Sequence, residues 1–271
     1  MRRFIAFFAL ALAATALTLL AQQQQTLPFP ANAPPVSPRA LTTVVLDPGH
    51  GGADPGARGA NGAVEKDVVL ALARLVRVEL ERGGFRVIMT RDADQNPSFD
   101  DRAAIANAQH TAIFMSLHVS STGQPGTART YSYQFSEARE IVPAASLTAG
   151  GATAQGSPLT QPPPMFAPPA PPVPPGWNLW ETAQKPYEDM SRRLAGLFQV
   201  ELSQRFTNSS PVPSSAAVRE LRSVAAPAVA VELSSVTAAD EKTLEAMGPS
   251  LAIAIGRAVS AFRPLYESGM K

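Results

Sequence analysis

The sequence of 271 residues contains no cysteine and only three histidines. The absence of cysteine excludes disulfide bonds, thiolate metal ligands and a lipid-anchored N-terminal cysteine. Any metal site in this chain must therefore use histidine and carboxylate ligands. Charged residues are also scarce, at 17% with a net charge of +1. This balance argues against a dedicated nucleic-acid-binding protein, because such proteins usually concentrate basic residues on one face.

The N-terminus has the pattern of an export signal. Residues 1–21 place Arg2 and Arg3 before an apolar run that reaches almost to Ala21, which predicts a secretory signal peptide and a periplasmic or cell-envelope location. The alternative is an uncleaved membrane anchor, since a spanning helix needs about 20 apolar residues. Residues 22–40 are rich in proline and glutamine and are predicted to form a linker.

Short apolar runs then alternate with helical patterns. We predict strands at Thr42–Leu46, Phe85–Thr90, Ala112–Val119 and Ala228–Leu233, and helices at Glu65–Arg82, Arg102–His110, Tyr187–Phe206 and Glu241–Phe262. This succession is typical of an α/β domain with a parallel sheet. We assign residues 41–271 to that domain. Its rhythm is interrupted at residues 137–184, where proline, alanine, glycine and serine dominate, so we predict an extended or disordered insert there.

Three segments place a potential metal ligand at or just beyond the end of an apolar strand, or at the start of the next helix. These are His50 in LDPGHGG, Glu65 in NGAVEKD and His118 in SLHVSS. Each has an ordinary interpretation when taken alone, because single histidines are usually packed or solvated and glutamate is favoured in a first helical turn. Together, two imidazoles and one carboxylate are a standard ligand set for catalytic zinc. The remaining histidine, His110, is expected to be exposed.

A zinc hydrolase also needs a base that is not a ligand, and Glu232 is the candidate. It interrupts the apolar strand AVAVEL, and an ionised carboxylate in such a strand needs a partner or a function. The alternative interpretation is a buried ion pair with Arg219 or Arg222.

The segments LDPGHGGADPGARG, NGAVEKD, GFRVIMTR, IFMSLHVS and PAVAVEL, in this order, closely resemble the zinc-dependent N-acetylmuramoyl-L-alanine amidases, the family that includes the bacterial division amidases. The resemblance spans about 42–262 apart from the insert. It implies His50, Glu65 and His118 as ligands of one zinc ion and Glu232 as the catalytic carboxylate. The implied fold is a twisted, mostly parallel sheet with helices on both faces.

The implied substrate is peptidoglycan, at the amide that joins N-acetylmuramic acid to L-alanine, and the implied process is wall remodelling or daughter-cell separation. The chain departs from the family after His118, where Val119 and Ser120 replace a small residue and asparagine, and again after Glu232. These departures concern the substrate groove rather than the metal. The alternatives are another zinc amide hydrolase, such as a peptidase or deacetylase, and a non-catalytic wall-binding module on the same fold.

Two further expectations concern the substrate and regulation. Arg58 and Arg91 are candidates to pair with muropeptide carboxylates, although Arg91 could equally brace the loop beside it. In some division amidases that this chain resembles, an inserted helix covers the zinc until a partner removes it. The insert 137–184 is therefore a candidate lid on which a protein activator acts. Its glutamates Glu140 and Glu181, or the nearby Glu188, would be the residues that reach the metal. The alternative is a surface excursion with no regulatory role.

Overall fold

The computed structural model describes residues 40–135 and 182–269. The predicted signal peptide, most of the linker and most of the insert, with Glu140 and Glu181, lie outside these residues. The strands are β1 (Thr43–Pro48), β2 (Arg86–Met89), β3 (Ala112–Ser120), β4 (Thr127–Tyr133), β5 (Ser214–Ala216) and β6 (Ala228–Ser234). The helices are α1 (Glu65–Arg82), α2 (Phe99–Asn107), α3 (Glu188–Arg205), α4 (Arg219–Arg222), α5 (Glu241–Ala246) and α6 (Gly248–Gly269).

The strands form one sheet in the order β2-β1-β3-β6-β4-β5. The pairs β1/β2, β1/β3, β3/β6 and β4/β5 are parallel, and β4 pairs with β6 in the antiparallel direction. The predicted α/β fold with a mostly parallel sheet is therefore confirmed. The sequence patterns did not predict β4, β5 or α4.

Alternate residues of the central strands face opposite sides of the sheet, as the period of two requires. One face, with Ile113, Met115 and Leu117 of β3, packs against α1, α3 and α6 in the larger core. The other face, with Phe114 of β3, packs against Ala103 of α2 and residues around α4 in a smaller core. By the same alternation Ser116 and His118 of β3 stand on this second face. The two helices that cover it are short, which leaves room for a site.

Helix boundaries follow local chemistry. The helix α1 has the predicted bounds and ends before Gly83. The helix α2 begins three residues earlier than predicted, because Ser98 and Asp101 form a reciprocal capping box at its start. The single closing helix predicted for Glu241–Phe262 is wrong. Two helices, α5 and α6, occupy this region and beyond, and Pro249 lies in the first turn of α6, where the missing N–H costs no hydrogen bond.

The C-terminal edge of the predicted insert is folded. Gln184 is buried, and its Nε2 donates to the carbonyl oxygens of Val224 and Ala226 at 2.7 and 2.6 Å. Glu188 begins α3 and lies 3.9 Å from Arg192, one turn along the same helix, rather than at the predicted metal site. Within the described ranges, no helix is long and apolar enough to cross a membrane.

Candidate metal centre

The fold brings His50, Glu65 and His118 together at the carboxyl edge of the sheet, where ligands bind in α/β folds. Their potential ligand atoms all lie within 4.8 Å of one another. His50 Nε2 is 3.2 Å from Glu65 Oε2, and His118 Nδ1 is 3.0 Å from Glu65 Oε1. We call these three residues the ligand cluster. His110, the third histidine, is exposed as expected.

The ligand cluster has the chemistry and spacing that a metal ion requires. Tetrahedral ligands about 2.0–2.2 Å from a zinc ion lie about 3.4 Å apart. Each histidine nitrogen lies near this distance from one Glu65 oxygen, and the three ligand atoms together lie within 4.8 Å. The two imidazole rings are nearly perpendicular, with centroids 5.1 Å apart. Two imidazoles and a carboxylate also leave a fourth coordination position for water or substrate. The residues present therefore fit the group that the sequence resemblance implies.

Glu65 is the buried centre of the ligand cluster, with 5% of its surface exposed. Backbone N–H groups of Ala57 and Val119 donate to its two oxygens at 2.7 and 2.9 Å. Burial raises the pKa of Glu65, but the hydrogen bonds with His118 and His50 outweigh burial and hold that pKa well below its usual range. The carboxylate is thus kept ionised and aimed at both histidines.

The pKa values of the two histidines shift in the opposite direction, upward. The hydrogen bond with Glu65, followed by that with Asp54, raises the pKa of His50 to about 9 despite burial. Burial lowers the pKa of His118, but the hydrogen bond with Glu65 prevails and raises it. The ligand cluster therefore favours positive charge, whether that charge is a proton or a metal cation.

The remaining nitrogen of His50 is held by a carboxylate. His50 Nδ1 lies 2.9 Å from Asp54 Oδ2, and the N–H of Gly56 donates to Asp54 Oδ1 at 3.0 Å. The pair with His50 lowers the pKa of Asp54. A carboxylate on the outer nitrogen fixes the tautomer and orientation of a metal-binding histidine. His50 Nε2 is accordingly the atom that faces Glu65.

The remaining nitrogen of His118, Nε2, is held by a chain of two hydrogen bonds. His118 Nε2 lies 3.2 Å from Ser116 Oγ, which in turn donates to Asp47 Oδ2 at 2.9 Å. Asp47 is fully buried and pairs with Arg102 Nη1 at 2.5 Å. Because the serine proton goes to Asp47, the serine oxygen accepts from His118 Nε2–H. The hydrogen bond with the ionised Glu65 puts a second proton on Nδ1, and a bound metal ion would replace that proton.

Two arginines brace the loop that carries His50. Arg91, which is 2% exposed, donates to the carbonyls of Pro48 and Gly49 at 2.8 and 2.7 Å. Arg102 donates to the carbonyl of His50 at 2.8 Å. The loop-bracing alternative therefore accounts for Arg91, whose buried guanidinium is engaged by backbone carbonyl groups and not directed at a substrate. Arg58 is exposed, so its predicted role in substrate binding stays a prediction.

Glu232 is adjacent to the ligand cluster. It pairs in register with His118 across β3 and β6, so both side chains leave the same face of the sheet. Tyr131 Oη donates to Glu232 Oε2 at 2.8 Å. Burial, and then this hydrogen bond, raise the pKa of Tyr131. Arg219, one of the alternative partners for Glu232, lies instead over the ring of Phe99, 4.5 Å from its centroid.

Two cavities flank the ligand cluster. The first, about 280 Å³ and here called the His50 cavity, is also lined by Asp54, Phe99 and Glu220. The second, about 240 Å³ and here called the Glu232 cavity, is also lined by His118, Tyr131 and Glu220. A cavity of about 310 Å³ lies elsewhere, beside Phe85 and Arg257, and contains none of these residues. Chemistry rather than size therefore distinguishes the site.

Several residues of the site were not predicted from the sequence. They are Asp47, Asp54, Ser116, Tyr131 and Glu220. Ser116 had a usable signal, because it precedes His118 by two residues and so shares its face of the strand. Tyr131 and Glu220 had none, since both reach the site through contacts distant in sequence.

Known proteins share sequence and fold with this chain. A family model described as N-acetylmuramoyl-L-alanine amidase matches residues 44–260. The chain is 46% identical over 85 residues to the amidase AmiA of Escherichia coli, which covers 31% of this chain and 29% of AmiA. It is 40% identical over 90 residues to AmiC of Neisseria meningitidis, which covers 33% of this chain and 22% of AmiC. The matched segments thus span under a third of each relative.

Solved structures share the fold. AmiC2 of Nostoc punctiforme is 23% identical with a TM-score of 0.55, covering 82% of this chain and 96% of AmiC2. The CwlD amidase of Clostridioides difficile, solved in complex with the GerS lipoprotein, is 19% identical with a TM-score of 0.57, covering 83% of this chain and 99% of CwlD. With the family model matching most of its length, the chain belongs to the N-acetylmuramoyl-L-alanine amidase family.

Proposed function

We propose that this chain hydrolyses the amide that joins the lactyl group of N-acetylmuramic acid to L-alanine in peptidoglycan. One observation carries the proposal: Glu232 stands in register with His118, beside the ligand cluster and on the same face of the sheet. A non-ligand carboxylate beside a two-histidine, one-carboxylate metal site is the arrangement that metal-assisted amide hydrolysis needs. The named amidases that the chain resembles support the choice of substrate.

His50, Glu65 and His118 would hold one zinc ion. When bound, zinc would act as a Lewis acid that polarises the carbonyl oxygen and makes water more acidic. Asp54 and Ser116 would keep the two imidazoles in the tautomers that direct His50 Nε2 and His118 Nδ1 inward.

Glu232 would move the proton. An amide is a poor electrophile with a poor leaving group, so its nitrogen must be protonated as the bond breaks. The Glu232 carboxylate would accept a proton from the attacking water and return it to the L-alanine nitrogen. Because Tyr131 donates to Oε2, we assign the transfer to Oε1.

The cellular setting is also a proposal. Residues 1–21 would direct the chain to the periplasm or cell envelope, and Arg58 would contact muropeptide carboxylates. CwlD was solved with the GerS lipoprotein, and by analogy a protein activator would act on the insert 137–184 here. Deleting 138–182 should then speed peptidoglycan digestion in the absence of a partner. Equal or slower digestion by a well-folded deletion variant would leave the insert with no covering role.

The test is digestion of purified peptidoglycan with and without added zinc, followed by identification of the products. An amidase releases intact stem peptides that begin with L-alanine. Truncated peptides or acetate would instead indicate the alternative zinc hydrolases, a peptidase or deacetylase. Wall binding with no released product, despite bound zinc, would indicate a non-catalytic module.

A further inference from the structure

Glu220 is the one lining residue that the His50 cavity and the Glu232 cavity share. It belongs to α4, the single helical turn that precedes β6. Its side chain is 19% exposed and projects toward the ligand cluster, with Oε1 3.8 Å from His118 Nε2. A ligand that fills both cavities would lie against this carboxylate.

The Glu220 carboxylate lacks a hydrogen-bond donor within the described part of the chain. The distance of 3.8 Å to His118 Nε2 exceeds that of a hydrogen bond, and this nitrogen already faces Ser116 Oγ at 3.2 Å. Part of the Glu220 side chain reaches water, and a ligand that displaced this water without supplying a donor would cost the carboxylate its hydration. A donor on a bound ligand would compensate for that loss.

The helical turn that carries Glu220 is anchored by the residues on either side of it in sequence. Leu221, the next residue, is fully buried in the smaller core. Arg219, the preceding residue, lies over the ring of Phe99, with its guanidinium carbon 4.5 Å from the ring centroid. These two contacts anchor the backbone of α4. An acceptor on an anchored turn needs less ordering when a ligand arrives than one on an unanchored loop, which favours affinity.

We propose that Glu220 binds substrate by accepting a hydrogen bond from the muropeptide as it passes between the two cavities. This inference rests on the proposed function for the identity of the ligand. The donor is an N–H or O–H group, and it has two possible sources. One is the stem-peptide backbone, and the other is the hydroxyl and acetamido groups of the sugar. The role is one of binding, so it differs from the proton transfer assigned to Glu232.

The test compares Glu220→Ala with Glu220→Gln, and uses Glu267→Ala, an exposed change on α6, as the control. Calorimetry would give the Kd of a muropeptide for each change made in a Glu232→Gln background, where turnover does not interfere. Steady-state kinetics with Glu232 intact would give KM and kcat. Zinc content would be measured for every variant.

We expect Glu220→Ala to raise Kd and KM by about tenfold to a hundredfold, the effect of losing a hydrogen bond to a charged group, with kcat and zinc content close to those of the unchanged protein. Glu220→Gln keeps an acceptor oxygen and should raise them less. Repeating the titration with N-acetylmuramoyl-L-alanine identifies the source. A persisting effect places the donor on the sugar or on L-alanine, and a lost effect places it farther along the stem peptide.

An unchanged Kd in Glu220→Ala would overturn the proposal. So would a parallel loss of zinc, which would show that Glu220 only supports His118. If the unchanged chain binds muropeptide through Glu220 yet releases no L-alanine-terminated peptide, the proposed function fails and this inference stands. Absence of any muropeptide binding would overturn both.

Discussion

His50 and His118 belong to the same ligand cluster, but the chain holds them in different ways. His118 stands in β3 in register with Glu232 of β6, and Leu117 before it pairs with Pro48 of β1, so the sheet fixes the backbone at His118. His50 lies in the loop after β1 with a φ of 61°, a conformation that non-glycine residues rarely adopt. The sheet therefore positions one ligand directly, whereas the other depends on side chains that brace its loop.

The bracing side chains are buried arginines. Arg91 and Arg102 donate to three successive carbonyl groups, those of Pro48, Gly49 and His50. These hydrogen bonds replace the backbone hydrogen bonds that a neighbouring strand would supply. Changes in this network should therefore damage the site more than changes of similar size around His118.

The largest effect is expected from Arg102→Met. It leaves Asp47 buried without its cation, and breaking one partner of such a pair costs about 3–5 kcal/mol. The free energy of unfolding, measured by urea denaturation, checks this prediction. Arg82→Met is the matched control, because that side chain is 73% exposed, and it should change stability by less than about 0.5 kcal/mol. Equal effects of the two changes would show that the loop does not need its brace.

Gly49→Ala tests where the loop and the strand meet. A Cβ atom at Gly49 would lie 2.3 Å from Cε1 of His118, so the imidazole must move. We expect zinc affinity to fall at least about tenfold and stability to fall by about 1–3 kcal/mol. The control is Gly196→Ala in α3, where the added Cβ meets nothing within 4 Å and a helix interior favours alanine. A normal zinc affinity in Gly49→Ala would mean that His118 is free to shift.

Zinc titration of Asp54→Ala and Ser116→Ala compares directly how firmly the two histidine ligands are held. Each change removes the contact on the outer nitrogen of one histidine, and such losses cost about tenfold to a hundredfold in metal affinity. We expect Asp54→Ala near the upper end, because His50 has no strand to hold it. We expect Ser116→Ala near the lower end, because the sheet still positions His118. The reverse order would contradict the distinction between the two ligands.

The smallest effect is expected from Ser98→Ala. This change removes the cap of α2, the helix that carries Arg102, and should cost about 1 kcal/mol with a small loss of zinc affinity. Asp240→Ala removes the cap of α5 and should cost a similar amount with no change in zinc affinity. If the two variants lose zinc equally, α2 has no special link to the loop.

The sequence predicts the ligand cluster well because its members lie at strand ends and a helix start, positions that hydrophobic patterning shows. The same patterning predicts α1 and the central strands β1, β3 and β6. It fails where contacts distant in sequence decide the outcome. Tyr131 reaches Glu232 across 101 residues, and Arg102 reaches Asp47 across 55. Short elements such as α4 have too few residues for a periodic signal, so Glu220 could not be placed in advance.

The most direct test of the proposed metal-dependent amide hydrolysis uses Glu232→Gln loaded with zinc. The quantity measured is the rate at which this variant releases L-alanine-terminated peptides from peptidoglycan. Glutamine keeps the shape of the side chain but cannot carry the proton. We expect one zinc ion per chain, as in the unchanged protein, and a rate lower by about 100-fold to 10,000-fold. His118→Ala, measured beside it, should lose zinc as well as activity. A loss of less than tenfold in zinc-loaded Glu232→Gln would contradict the role of Glu232, and stoichiometric zinc in His118→Ala would contradict the ligand cluster.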